Sequence, residues 1–488
     1  MILLRPRSMM RRWGLGLVVF LVSLFLFSRH LLDEPYFMDE GAYIAGTYYY
    51  RLMKEGEWNH VDWFHLASYD HLNVGRAIIG GTLDGLGIEL PNSIHPLEEW
   101  YGINGPAKSD SGARDPDRLL AARVSMMVGG AIGCWAIFAL ANELIGPVTG
   151  FLAALLLGSS PLYWTHARRA MADDWVIAFG LVGLTSVLFV TRRMPLHHGR
   201  LFHLKRTLPC MLLAGVAFGL SSATKLSGLS LLMGTLVGGG FILAKAAPWR
   251  QLGPSHAVCR RWGIFLVGMT AVAGSTFLAV HPFFYAHPIL PAGNEAEPGI
   301  VIDGELRDRT WVDNYVRPLA SSGVWERLRY LVHYRQSVLD DKAIQERFSD
   351  DALPTARSRI QAMFLEGWGR RSFAAHLSLQ EFWAGALVGL LVLSGFIWTI
   401  AEGRRHWRLG LLPIPWLVTA WFVVETFVLV RELSLNWDRY YMGWITLAAI
   451  LAALGISGPI TSLSRKLVLL PPIPTDEEAE SPSPSKSN

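Results

Sequence analysis

The acidic pair Asp39-Glu40 is the first group in this chain whose residue types could do chemistry. It stands in the segment 33–43, a few residues after the first long apolar stretch. A carboxylate at a membrane surface can act as a general base toward a hydroxyl or an amine. A solvated acidic loop explains the same pair without any chemistry, and the residues alone leave both interpretations open.

A second charged cluster lies in the segment 166–174, where His166 and Arg168 precede Asp173 and Asp174. Cations and carboxylates forced together in a tight turn either pair structurally or hold a substrate. Lys225 stands between the apolar runs 215–224 and 226–236, and its ammonium group is well placed to meet a lipid phosphate. The structural alternative is a lysine whose charged end reaches the membrane surface while its stem stays among apolar groups.

The elements that must position these groups are membrane spans. The chain is 51% hydrophobic and 17% charged, whereas soluble proteins carry about 25% charged residues. The apolar residues form blocks that approach or exceed the roughly 20 residues needed to cross a bilayer. About ten spans are predicted, at 13–31, 119–141, 147–164, 174–191, 208–223, 226–244, 262–280, 382–401, 411–430 and 440–457.

The distribution of basic residues predicts the orientation of these spans. The segments 192–207 and 245–261 hold several Lys and Arg residues and no acid, and 402–410 is also basic. The long segments on the opposite side are mixed or acidic. Because basic loops stay in the cytoplasm, we expect both termini to be cytoplasmic, in a multi-pass protein of the cell (inner) membrane. The first span then acts as a retained signal anchor.

The charged residues at span ends all map to the outer, non-cytoplasmic side in this topology. A charge at membrane depth costs about 2.5–3.5 kcal/mol on insertion scales, so it usually has a partner or a function. We therefore expect one polar cavity that opens outward. Its candidate residues are Asp39, Glu40, Arg123, His166, Arg168, Asp173, Asp174, Lys225, His281, His287, Asp438 and Arg439.

The expected architecture is an all-α polytopic membrane protein with about ten transmembrane helices and two large non-cytoplasmic loops. The chain then divides into six parts. These are a cytoplasmic amino terminus with the first span (1–31), a first outer loop with interfacial helices (32–118), a membrane core (119–280), a second outer loop (281–381), the last spans (382–457) and a disordered cytoplasmic tail (458–488).

Several function classes are disfavoured. The net charge of +4 comes from basic inner loops, and no outer segment has the basic, aromatic-interleaved stripe of a nucleic-acid interface. The three cysteines fall in spans or in an inner loop, so they cannot crosslink an outer loop. Neither the cysteines nor the histidines have metal-ligand spacing. We expect no metal and no cofactor.

The order of the motifs resembles a known family. Asp39-Glu40 follows the first span, Arg123 opens the second, and His166-x-Arg168-x-x-x-x-Asp173 forms an outer turn after the third. Thr224-Lys225 separates two later spans, and Arg439-Tyr440-Tyr441 precedes the last. Over residues 10–460 this set resembles the C-type glycosyltransferase superfamily, in its branch of protein O-mannosyltransferases and aminoarabinose transferases.

The resemblance implies a membrane enzyme that transfers a sugar from a polyprenyl-phosphate donor to a protein, glycan or lipid acceptor outside the cytoplasm. The anomeric carbon would be inverted. Asp39 would be the catalytic base, with Glu40 positioning it, and Asp173 would complete the acceptor or sugar site. Arg123 and Lys225 would neutralise the leaving phosphate. Further substrate contacts would come from His166, Arg168, Arg439 and Tyr440.

The chain departs from this family pattern at one place. Many relatives carry a Pro-Pro pair next to a basic residue in the first outer loop, whereas this chain has Tyr69-Asp70-His71-Leu72-Asn73-Val74-Gly75-Arg76. Arg76 is expected to take over the basic role as a further substrate-binding residue.

Two other functions fit a polar cavity in a membrane protein. A transporter or flippase of a lipid-linked sugar would also place charges inside, but transporters commonly show related halves and broken helices near the midplane. Neither feature is evident in this sequence. A non-catalytic membrane scaffold would not require Asp39 and Lys225 at their positions.

Overall fold

The computed structural model describes residues 6–29, 31–70, 72–101, 115–193, 204–246, 254–290, 299–302, 305–340, 355, 379–409, 412–432 and 438–468. The predicted class of an all-α polytopic membrane protein is confirmed. Among these residues, the β-structure is a small antiparallel hairpin of β1 (Gly299–Ile302) and β2 (Glu305–Asp308), in which Ile300 lies opposite Arg307.

The helices are numbered here in chain order. Up to the hairpin they are α1 (Pro6–Ser28), α2 (Met38–Ala45), α3 (Tyr48–Glu55), α4 (Leu66–Asp70), α5 (Asn73–Gly85), α6 (His95–Tyr101), α7 (Pro116–Leu144), α8 (Pro147–Gly158), α9 (Pro161–His166), α10 (Asp173–Arg193), α11 (Leu204–Thr224), α12 (Leu229–Ala246) and α13 (Pro254–Ala279). After it come α14 (Arg309–Trp311), the π-helix Val312–Val316, α15 (Arg317–Ser321), α16 (Val324–Asp340), α17 (Leu379–Arg408), α18 (Pro415–Glu432) and α19 (Met442–Val468). Short 3-10 helices occur at Val61–Phe64, Leu226–Gly228, Pro282–Phe284 and Asp438–Tyr441.

Within the described ranges, seven helices are long and apolar enough to cross a membrane, namely α7, α10, α11, α12, α13, α17 and α19. Shorter apolar stretches occur at Gly14–Ser28 and Pro147–Gly158. Every predicted span coincides with helix over most of its length. The predicted span 147–164 is interrupted after Gly158, because Ser160 precedes Pro161 and adopts an extended conformation that a following proline favours.

The bundle is built around α7, which packs against α1, α8 and α10. Next to it, α10 contacts α11, which in turn lies against α13, and α17 packs along α19. The α17–α19 contact is very close, since a Cβ at Gly395 or at Gly455 would collide with the backbone of the other helix. Small residues at such crossings allow membrane helices to approach each other.

A separate apolar cluster joins the two predicted outer loops. It brings Tyr49 and Trp63 of the first loop together with Phe283 and Val312 of the second. The two loops therefore share one core, although more than two hundred residues separate them in the chain.

Both acidic pairs singled out in the sequence occupy the first turn of a helix, Asp39-Glu40 in α2 and Asp173-Asp174 in α10. A carboxylate in a first turn is stabilised by the partial positive charge of the helix amino terminus. Because α2 follows α1 and α10 follows the turn after α9, both pairs are held at the same end of the bundle.

Candidate active site

Two acid–cation pairs meet on one tyrosine ring. Lys225 Nζ donates to Asp173 Oδ1 at 2.6 Å and lies 5.4 Å from the centroid of the Tyr440 ring. The guanidinium carbon of Arg439 lies 5.5 Å from the same centroid, and Arg439 forms an ion pair with Asp39. Five residues expected at the site from the sequence are thus brought together.

Four segments position these side chains. Asp39 and Asp173 lie in the first turns of α2 and α10. Lys225 lies where α11 ends, in an extended conformation with φ −159° and ψ 140° that turns the chain into the next 3-10 helix. Arg439 and Tyr440 belong to the 3-10 helix Asp438–Tyr441, just before α19. The group is therefore assembled by tertiary packing of helix ends.

The exposure of these groups differs in a way that matters for binding. The Lys225 side chain is 20% exposed, whereas that of Asp173 is 5% exposed. Within the described residues, the second carboxylate oxygen of Asp173 has no hydrogen-bond partner. The more open member of this pair is thus the cation, and charge-assisted hydrogen bonds from such cations are strong contacts for an anion.

Arg123 is fully buried and its donors are occupied. Its Nε and Nη2 donate to the two carboxylate oxygens of Glu40, each at 2.9 Å. Its Nη1 donates to the carbonyls of Leu31 at 2.9 Å and Glu34 at 2.8 Å, and Nη2 also donates to the carbonyl of Pro35 at 3.4 Å. These contacts favour a structural role for Arg123 over the predicted contact with a donor phosphate, because no donor is left for another ligand without breaking the pair.

Glu40 has an equally complete set of partners. Besides Arg123, its carboxylate accepts from the backbone N–H of Ala170 at 2.7 Å and that of Phe37 at 2.9 Å. It thereby fastens the start of α2 to α7 and to the turn before α10. Glu40 is closed to solvent, so its contacts support a role in positioning Asp39 from behind rather than direct contact with substrate.

His166 and Arg168 lie beside the site. His166 is fully buried at the end of α9, which packs against the 3-10 helix that carries Arg439. Arg168 forms an ion pair with Glu34 at 3.5 Å and lies over the ring of Trp164 at 5.8 Å. These contacts fix the turn after α9, and they give no direct support to the expected substrate contact.

Arg76 is fully buried on the first turns of α5. Its Nη1 donates to the Ala67 carbonyl at 2.6 Å, and its guanidinium lies 5.1 Å from the Tyr49 ring centroid. Among the described residues, Nε and Nη2 have no hydrogen-bond partner. A buried cation whose described partners are a carbonyl and a ring face is suited to an additional polar ligand.

Sequence reasoning did not single out Asn73, and it gave His281 no role beyond an outer position. Asn73 Nδ2 lies 3.1 Å from His281 Nδ1, and both side chains are buried next to Arg76. Burial, together with the Arg76 charge, lowers the pKa of His281 to about 3 despite the nearby Ala223 backbone. One signal was present in the sequence, since Asn73 and Arg76 are three residues apart and so share a helix face.

No group of three or more His, Cys, Asp or Glu residues in the described part of the chain could hold a metal ion. The side chain of His71, one of the histidines of the first outer loop, lies outside the described residues. The positive charge of the candidate site is supplied by Lys225 and Arg439.

Comparison with known proteins gives similarities in structure. No family model and no curated protein matches the chain. The oligosaccharyltransferase of Archaeoglobus fulgidus, solved with a tethered acceptor peptide, is similar at 12% identity with a TM-score of 0.49, over 92% of this chain and 50% of that one. The chain therefore spans about half the length of that protein.

Two further solved structures are similar. The S. cerevisiae protein O-mannosyltransferase Pmt1–Pmt2 complex bound to the sugar donor aligns at 13% identity with a TM-score of 0.34, over 54% of this chain and 33% of that one. ArnT from Cupriavidus metallidurans bound to undecaprenyl phosphate aligns at 14% identity with a TM-score of 0.29, over 93% and 79%.

Proposed function

We propose that this chain is a membrane glycosyltransferase that moves a sugar from a polyprenyl-phosphate donor to an acceptor at the non-cytoplasmic face. The observation that carries the proposal is the pairing of Asp39 with Arg439 and of Asp173 with Lys225 beside the Tyr440 ring. This arrangement supplies a carboxylate for proton removal and two cations for a leaving phosphate within one cluster.

Asp39 is the proposed catalytic base. It accepts the proton of an acceptor hydroxyl or amine as the acceptor atom forms its bond to the anomeric carbon of the sugar. The bond between that carbon and the phosphate oxygen breaks, and its electron pair stays on the phosphate. Attack from the face opposite the phosphate inverts the anomeric carbon. The products are the glycosylated acceptor and the free polyprenyl phosphate.

Lys225 and Arg439 are the proposed ligands of the phosphate. Negative charge builds up on the phosphate as it leaves, and preorganised cations in a water-poor site stabilise that charge strongly. Both cations lie within 5.5 Å of the Tyr440 ring centroid, and in this proposal they share the phosphate. Arg439 thereby replaces Arg123, whose contacts with Glu40 occupy it, as the second cation.

Asp173 and Tyr440 complete the proposed substrate site. Asp173 fixes the ammonium group of Lys225 through one oxygen, and its second oxygen can accept a hydrogen bond from a sugar or acceptor hydroxyl. Tyr440 provides an aromatic ring that lies close to both cations. His166 and Arg168 support the turn that ends at Asp173. The reaction needs no cofactor, because the donor is already activated.

The proposed setting is a cell (inner) membrane with both termini in the cytoplasm. The outer loops then face the periplasm or the cell exterior, where the acceptor is a protein, a glycan or a lipid. The donor is held in the bilayer by its polyprenyl chain, and the lipid phosphate lies at the depth of Lys225. The position of Lys225 between two apolar helices supports this depth.

The test uses purified protein in lipid nanodiscs with undecaprenyl-phosphate mannose, glucose or 4-amino-4-deoxyarabinose and an acceptor-containing membrane extract. We expect release of free undecaprenyl phosphate from one donor, measured by mass spectrometry. Absence of release with every donor, together with movement of intact donor across the bilayer of a proteoliposome, would contradict the proposal and support a flippase.

A further inference from the structure

Asn73, Arg76 and His281 form a second buried polar group beside the two acid–cation pairs. They come from two separate segments, the first turns of α5 and the residue before the 3-10 helix Pro282–Phe284. Their exposed fractions are 1%, 0% and 2%. Buried polar groups are normally hydrogen-bonded, so the partners of these three side chains decide what the group can do.

The hydrogen bond between Asn73 and His281 sets the roles of the remaining atoms. Asn73 Nδ2 can only donate, so His281 Nδ1 is the acceptor at 3.1 Å. The neutral imidazole then carries its proton on Nε2. Burial next to the Arg76 cation holds the pKa of His281 at about 3, which is consistent with the neutral ring.

Three polar atoms of this group have no hydrogen-bond partner among the described residues, namely Asn73 Oδ1, Arg76 Nε and Arg76 Nη2. His281 Nε2 faces the Ala223 backbone, so His281 holds Asn73 in place. The set combines one acceptor with two cationic donors. A hydroxyl group both donates and accepts, so neighbouring hydroxyls of a sugar ring complement this set.

The group adjoins the proposed phosphate site. Gly75, which lies between Asn73 and Arg76 in α5, packs against Ala172 and Tyr43 so closely that a Cβ would clash with Ala172. Ala172 is the residue before Asp173. On the other side, the Ala223 backbone lies beside His281, two residues before Lys225. A sugar is joined directly to its phosphate, so its ring must lie next to Lys225 as well.

We propose that Asn73, His281 and Arg76 form the subsite that recognises hydroxyl groups of the transferred sugar. This inference rests on the proposed function, and it assigns to these residues the choice among donor sugars. The acceptor approaches from the side of Asp39, so this subsite discriminates between donors and leaves acceptor choice unchanged.

The experiment compares the preferred sugar from the donor panel with its 2-, 3-, 4- and 6-deoxy forms on undecaprenyl phosphate. A site built to bond a hydroxyl strongly rejects an analogue that lacks it. We expect the wild-type kcat/KM to fall by at least about a hundredfold for one deoxy form. Asn73→Leu and His281→Leu should lower kcat/KM for the full sugar and reduce this discrimination to within about tenfold.

His281→Gln retains an amide donor, so it should recover part of the kcat/KM for the full sugar and part of the discrimination. Asn73→Ser replaces Asn73→Leu in the comparison if the leucine variant does not fold. Asn142→Leu is the matched control, because Asn142 is also a buried asparagine but lies near the opposite end of α7. Folded variants that keep the wild-type discrimination would overturn the subsite. Failure of the wild type to release undecaprenyl phosphate from any donor would instead refute the proposed function.

Discussion

Lys225 and Asp173 lie 2.6 Å apart, although 52 residues separate them in the chain. Their pairing joins the start of α10 to the junction between α11 and α12. It also places an ammonium group where the ends of three membrane helices meet. The proposed donor site depends on this contact more than on any other.

Removal of the Lys225 charge should impair use of the donor. Lys225→Met is expected to lower kcat/KM for the donor by about a hundredfold, because one preorganised cation beside the leaving phosphate is lost. Lys54→Met is the matched control, since Lys54 also pairs with an aspartate at 2.6 Å but its side chain is 52% exposed. A wild-type rate at limiting donor would assign Lys225 a structural role.

Asp39→Asn should abolish most of the turnover while donor binding stays nearly intact. The amide keeps the shape of the side chain but cannot accept the proton. General-base catalysis contributes about 10²–10⁴-fold, so kcat should fall by at least about a hundredfold. Asp117→Asn is the control at an exposed position in the first turn of α7, and it should leave kcat unchanged. Retention of more than about a tenth of the wild-type turnover would make Asp173 the next candidate for the base.

The Glu40–Arg123 pair should matter for folding. Breaking a buried ion pair by changing one partner costs about 3–5 kcal/mol, so Glu40→Gln and Arg123→Met should each lower the Tm in detergent strongly. Arg123→Lys should also be harmful, because lysine cannot reproduce the bidentate contact. The double variant should lose less than the sum of the single losses. Fully additive losses would show that the two side chains do not stabilise each other.

Acidification should destabilise the protein through His281. The pKa of this histidine is about 3 in the folded protein and 6.5 as its ordinary value, so between these pH values the unfolded chain binds a proton that the folded protein excludes. Stability therefore falls as pH decreases below about 6.5, by about 2 kcal/mol at pH 5. His281→Gln should show a smaller loss of Tm between pH 7.5 and pH 5. An equal loss in both proteins would contradict a neutral, buried ring beside Arg76.

The predicted orientation can be tested with single cysteines in a cysteine-free background. Cysteines at positions 100 and 340 should react with an impermeant thiol reagent in intact cells, because both positions belong to the predicted outer loops. A cysteine at position 200, in the predicted basic inner segment, should react only after the cells are opened. Labelling at position 200 in intact cells would reverse the orientation and place the site on the cytoplasmic side.

The helical class and the positions of the helices could be predicted from the sequence, because long apolar blocks and the proline at position 161 act locally. The convergence of Asp39, Asp173, Lys225 and Arg439 could be expected from their one-sided placement. The pairing of each acid with a particular cation could not be predicted, because it depends on how the helices pack. Arg123 illustrates the difference. Its position in the sequence suits a phosphate ligand, and only the structure shows that Glu40 occupies its guanidinium group.

The order of Glu40 and Arg123 in the chain has a consequence for biosynthesis. Glu40 emerges from the ribosome 83 residues before Arg123, so the carboxylate has already been made when α7 enters the membrane with its arginine. In the proposed orientation, Glu40 is therefore available to pair with Arg123 as soon as α7 is inserted. A chain without Glu40 would place an unpaired, costly cation at the membrane boundary.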